Sequence, residues 1–261
     1  MKISDKFNEL KKKKEGALIA YICAGDPTPF ATKEYVTALI RGGADIIELG
    51  LPFSDPTADG PTIQAGIERA LNAGMTPDVY FKTVGSLKVH IPLVVMTYYN
   101  IIFKRGLEKF VKDCAASGIS GIIAPDLPPE ESGELAGVCK KNDVDLIFLV
   151  APTTTDERLK RILSEGKSFI YLVARLGVTG ARADVASSTR ELIERVKTTT
   201  PKAVGFGISN GKQTAEIIHA GADGVIVGSA FVDIIASGRD VPARLEALAR
   251  ELKDGMREAG G

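Results

Sequence analysis

Apolar residues along this chain cluster in short runs, at 17–24, 45–50, 93–97, 121–125, 145–150, 169–174, 203–208 and 224–227. Each run is too short for a free helix and apolar on both faces, which predicts a strand covered on both sides. Between them, stretches such as 28–42, 107–116 and 129–141 repeat apolar positions at helical spacing. Strands alternating with helices predict parallel βαβ units. Eight such units, with no Ser/Pro-rich linker or charge block dividing them, predict a (β/α)8 barrel as one domain over residues 1–261. An open doubly wound sheet is the alternative. Residues 4–14 set Phe7 and Leu10 against the lysine run 11–14, which predicts an additional N-terminal helix with a solvated face or an anion-binding patch. Residues 242–255 read as a closing outer helix and 258–261 as a frayed tail.

Composition narrows the function. At 261 residues the chain matches the usual size of such a barrel. Lys plus Arg equals Asp plus Glu at 33 each, which leaves no electrostatic footprint for nucleic acid or an anionic membrane. Three cysteines, Cys23, Cys114 and Cys139, without CxxC spacing fit core thiols in a reducing compartment. Two histidines, His90 and His219, lie in no HxH or HExxH pattern, so no metal site is expected. With no signal-peptide pattern and no apolar run long enough for a membrane span, a soluble cytoplasmic protein is expected.

Candidate chemistry begins at the second strand. Glu48 sits in the run Ile46-Ile47-Glu48-Leu49, where a carboxylate costs several kcal/mol unless it is paired or neutral, and such a group often has a raised pKa. Eleven residues on, Asp59 lies in a loop stiffened by Pro52, Pro56 and Pro61. Two carboxylates in unlike surroundings suggest a proton shuttle and a fixed charge. The plainer readings are that Glu48 pairs with a buried Arg or Lys and that Asp59 caps the helix before Pro61. In a barrel, function collects where strands end. Gly205-Phe206-Gly207 and Gly228-Ser229, at the last two strand ends, suit a phosphate held by backbone N–H groups, with Gly180 of the long sixth connection as a third contributor and a possible lid.

The segment 48–64, together with Ala24-Gly25-Asp26-Pro27, Thr97-Tyr98-Tyr99-Asn100, Pro125-Asp126-Leu127-Pro128-Pro129, Gly177-Val178-Thr179-Gly180, Gly205-Phe206-Gly207-Ile208 and Gly228-Ser229, resembles the tryptophan synthase alpha subunit family over nearly the whole chain. The resemblance implies cleavage of indole-3-glycerol phosphate to indole and glyceraldehyde 3-phosphate, in an alpha2beta2 complex whose beta subunit holds pyridoxal phosphate, with no cofactor in this chain. It implies Glu48 and Asp59 as catalytic acids, with Gly180, Gly207, Gly228 and Ser229 around the phosphate. Tyr21, Tyr98, Leu127, Tyr171, Thr179 and Phe206 fall in or beside the indole pocket, and Asp55 and Pro56 in the loop that meets the beta subunit. Cys23, Ala174 and Ile101 depart from the family's commoner Thr, Ser and Pro.

Breaking the bond between indole C3 and a glycerol carbon requires protonation at C3. Glu48 is the expected donor, and Asp59 the carboxylate that stabilises the cation at N1. A phosphosugar isomerase or epimerase would share the phosphate grip, but it usually needs a strand-end His, Lys or metal that is not evident here. A role chiefly as the activating subunit of a partner enzyme is compatible with the lyase reading.

Overall fold

The computed structural model describes residues 1–174, 182–205 and 207–260. Its strands are β1 (Ala17–Cys23), β2 (Ile46–Gly50), β3 (Leu93–Met96), β4 (Ile119–Ile123), β5 (Asp145–Ile147), β6 (Leu149–Val150), β7 (Ile170–Val173), β8 (Lys202–Gly205) and β9 (Gly224–Val227). All neighbours pair in parallel, in the order β5-β4-β3-β2-β1-β9-β8-β7-β6. Segments β5 and β6 are two halves of one strand interrupted at Phe148, so the outermost positions of that order are covalent neighbours. Nine segments, two of them sharing a strand, give the eight strand positions that the apolar runs predict, and the sheet closes into a barrel.

Side chains alternate across each strand, which divides the core in two. Ala17, Ile19, Ile46, Val94, Ile123, Ile147, Ala203 and Ile226 face inward and, with Phe169, fill the barrel. The predicted N-terminal helix α1 (Ile3–Lys13) closes the end where strands begin: Ile3, Phe7 and Leu10 share one face and join the inner cluster. The Phe7 ring lies 5.7 Å from that of Phe169, and burying a side chain of this size stabilises by about 1.5–3 kcal/mol. Lys11 to Lys14 remain exposed, the solvated face expected of them.

Outside the barrel lie α2 (Ala31–Arg41), α3 (Pro61–Asn72), α4 (Pro77–Gly85), α5 (Tyr99–Arg105), α6 (Leu107–Ala116), α7 (Gly133–Lys141), α8 (Asp156–Glu165), α9 (Arg182–Arg195), α10 (Gly211–His219), α11 (Ser229–Ser237) and α12 (Val241–Gly260). Several boundaries differ from the sequence reading, and two of these have a visible cause. Helix α7 begins at Gly133 rather than near residue 129, because Glu131 N–H donates to the Pro128 carbonyl (3.0 Å) and Ser132 Oγ to that of Pro129 (3.0 Å), folding the diproline into a turn. The tail expected to fray continues α12 to Gly260: Met256 is fully buried and Arg257 pairs with Glu15 at 3.4 Å. The same helix is anchored by Lys253, whose buried Nζ donates to the Gly16 carbonyl (2.8 Å) and Asp45 Oδ2 (2.9 Å) and lies 3.0 Å from Glu15 Oε2. Among the described residues no helix is long and apolar enough to cross a membrane.

Candidate active site

Glu48 shares the inward parity of Ile46 on β2, at the end of the barrel where strands finish. In register it lies between Tyr21 of β1 and Val94 of β3. It is 1% exposed, and its Oε2 has no hydrogen-bond partner among the described residues. Among the described residues no buried Arg or Lys neutralises it, which weighs against the reading of a satisfied structural acid. Burial favours the uncharged carboxyl and lifts its pKa to about 8, with the charge of Asp59 pushing the same way. At neutral pH the group therefore carries a proton it can give away.

Asp59 occupies a different setting. The Tyr98 hydroxyl donates to Asp59 Oδ2 at 2.6 Å and accepts from Ala58 N–H at 2.9 Å. The Phe53 ring, 5.3 Å away and tilted 34°, packs on Tyr98 from the same loop. Gln64 Nε2, in the first turn of α3, donates to the carbonyls of Asp59 (2.8 Å) and Pro56 (3.3 Å). Partial burial raises the Asp59 pKa, and the bond from Tyr98 opposes that rise. The N-cap of α3 is Gly60, with no side-chain cap, so Asp59 is not spent on capping. That the Tyr98 hydroxyl is the partner of Asp59 was not legible beforehand: the sequence places Tyr98 only at the end of the third apolar run, and the resemblance only in or beside the indole pocket.

Two tyrosines complete the floor of the mouth. A Cβ on Gly50 would overlap the Tyr21 hydroxyl, and one on Gly205 would meet that of Tyr171 at 2.5 Å, so each ring lies flat across a glycine at a strand end. Both phenols are pushed well up, first by burial and then also by the charges of Glu48 and Asp59. Among the described residues no group of three or more His, Cys, Asp or Glu is arranged to hold a metal ion.

A profile of the tryptophan synthase alpha chain family matches residues 7–258. The tryptophan synthase alpha chain of Methanosarcina barkeri is 62% identical over 258 residues, covering 99% of this chain and 98% of that one. The alpha chain of Methanosarcina acetivorans is 64% identical over 255 residues, 98% of this chain and 94% of that one. The chain belongs to this family. Solved structures agree: tryptophan synthase subunit alpha from Legionella pneumophila superposes with a TM-score of 0.89 at 31% identity, covering 98% of both chains. Tryptophan synthase from Mycobacterium tuberculosis gives 0.88 at 36%, covering 97% of this chain and 98% of that one. The chain is thus the lyase subunit that cleaves indole-3-glycerol phosphate in L-tryptophan biosynthesis, and it works with a beta subunit.

The remaining family positions are distributed around the mouth. Gly228 is the N-cap of α11 and Ser229 its first residue, and no side chain caps that turn. Its leading N–H groups are therefore the unspent donors of a helix start. Gly207 adopts a left-handed φ of 66°, a backbone shape that suits glycine. Leu127 is buried in the cluster between strands and helices. Asp55 is exposed and Pro56 half-buried on the loop before Asp59. Gly180, Thr179 and Phe206, and with them the lid reading of the sixth connection, lie outside the described residues. Of the departures from family pattern, Cys23 and Ala174 are buried at strand ends, and Ile101 packs partly buried in α5.

Proposed function

We propose that Glu48 and Asp59 are the catalytic pair of this lyase. The observation that carries the reading is the contrast between them: one carboxyl is sheltered, its Oε2 without a partner among the described residues, and protonated near neutrality, while the other is held by Tyr98 in the loop above. Protonated Glu48 gives its proton to indole C3, and the positive charge then resides at N1, where the Asp59 carboxylate stabilises it. Glu48, now a carboxylate, takes the proton from the hydroxyl on the adjoining glycerol carbon. That carbon becomes the aldehyde as the C3–C bond breaks, and the bonding electrons return to the ring. Glu48 ends as it began, and such acid–base work contributes about 10²–10⁴-fold.

In the same reading the substrate phosphate is held by Gly207, Gly228 and Ser229 with Gly180, and the indole lies among Tyr21, Tyr98, Leu127, Tyr171, Thr179 and Phe206. Asp55 and Pro56 present the loop to the beta subunit in an alpha2beta2 assembly in the cytoplasm. Pyridoxal phosphate belongs to that partner, and this chain works without a cofactor. The deciding experiment follows indole release by ultraviolet absorbance. Glu48→Gln should abolish turnover while substrate affinity stays near the parent value; near-parent turnover would refute the assignment.

A further inference from the structure

Helix α3 leads directly out of the Asp59 loop, yet only Gly66, Ile67 and Ala70 of its twelve residues are buried. Even with Ile63 and Leu71 packed partly buried beside it, so narrow a fully buried stripe, two of whose three members are small, resists sliding and rotation weakly. One polar contact supplies what the packing lacks. Arg69 Nε and Nη2 donate to Asp26 Oδ1 and Oδ2, each at 2.7 Å. The Asp26 side chain has no exposed surface, while that of Arg69 is one third exposed, at 33%. A two-pronged guanidinium contact sets orientation as well as distance.

Asp26 is itself fixed just past β1. Its N–H donates to the Cys23 carbonyl (3.3 Å), and the preceding Gly25 N–H donates to buried Thr32 Oγ1 (3.0 Å). Close approach depends on Gly66, where a Cβ would stand 3.0 Å from Asp26 Oδ2 and 3.0 Å from Val232 Cγ1 of α11. One junction therefore joins the end of β1, the helix behind the Asp59 loop, and the helix that starts at Ser229.

We propose that the Asp26–Arg69 pair is a positioning device for the lyase reaction: it sets the place of α3 and, through Gln64, holds the Asp59 carboxylate against Tyr98 and opposite Glu48. The inference rests on the catalytic assignment of Asp59. Arg69 lies roughly 12 Å along the helix from Pro61 at 1.5 Å per residue, so it acts through the helix and not on the reacting atoms.

The test is a double-mutant cycle on the full chain with its beta subunit, comparing Asp59→Asn, Arg69→Leu and the combination by indole release. Arg69→Leu should lower kcat by about 10²-fold, the scale of a misplaced group. KM for indole-3-glycerol phosphate should stay within about twofold, because binding is untouched. The combined variant should be no slower than Asp59→Asn alone. Should Arg69→Leu fail to fold, Arg69→Lys, which keeps the charge and loses the fork, takes its place in the same cycle. Losses that multiply in the combined variant would overturn the positioning role while leaving the catalytic assignment intact. Near-parent turnover of Asp59→Asn would overturn the assignment, and this inference with it.

Discussion

Replacing Glu48 by Gln should separate activity from stability in opposite directions. Unfolded, this carboxyl titrates at its ordinary 4.5; folded, it titrates at about 8. A folded value above the unfolded one means that the fold favours the neutral form. The associated stability is fully present below pH 4.5, is lost as the pH rises, and is gone once the pH passes about 8. The gap between 4.5 and about 8, at 1.36 kcal/mol per unit, amounts to about 1 kcal/mol lost at pH 5, about 3 at pH 7 and about 4 at pH 8. Glutamine keeps the shape and cannot ionise, so its own cost of burial does not vary with pH. Urea unfolding of parent and variant from pH 5 to 8.5 should show the variant gaining about 4 kcal/mol on the parent across that range, roughly 10 °C in melting temperature. Titrating groups not coupled to Glu48 are common to both proteins and cancel, and Asp59, the carboxylate coupled to it, adds a minor part. Parallel stability curves would refute the claim that a buried, unpaired carboxyl stands at this position.

The parent's turnover should hold steady up to about pH 8 and decline above it, as Glu48 loses the proton it must give; a rate still rising at pH 9 would contradict that role. Tyr98→Phe removes the donor that opposes the rise in the Asp59 pKa. Turnover should fall by about 1.5–3 kcal/mol of barrier, and the acid limb of the pH–rate profile should move to higher pH. Lys253→Met leaves Asp45 buried without its cation, which should cost about 3–5 kcal/mol of stability in urea unfolding with kcat unchanged, since the pair lies at the far end of the barrel. Gly255→Ala forces a Cβ into the Gly211 carbonyl where α10 crosses α12, and a drop in melting temperature should follow without a change in KM.

The barrel was legible because a strand covered on both faces leaves so plain a mark: eight apolar runs, each separated by amphipathic stretches, admit few other arrangements. Glu48 was legible for the opposite reason, as a charged residue where the pattern called for an aliphatic one. Its pairing was not. Whether a buried acid has a partner depends on side chains distant in sequence, and only the coordinates show that Oε2 has none among the described residues. The bond from Tyr98 to Asp59 spans 39 residues and two separate strand ends, a distance that no local periodicity records. Likewise the Asp26–Arg69 contact joins a turn to a helix 43 residues later. The break at Phe148 and the late start of α7 reflect backbone hydrogen bonding around single residues, which composition does not carry.

The helix that plugs the barrel with Ile3, Phe7 and Leu10 also decides the traffic of small molecules. Among the described residues the interior is packed and the base stoppered, so the end where the strands begin offers no back door. Substrate and both products therefore pass through the end where the strands finish, the end that holds Glu48.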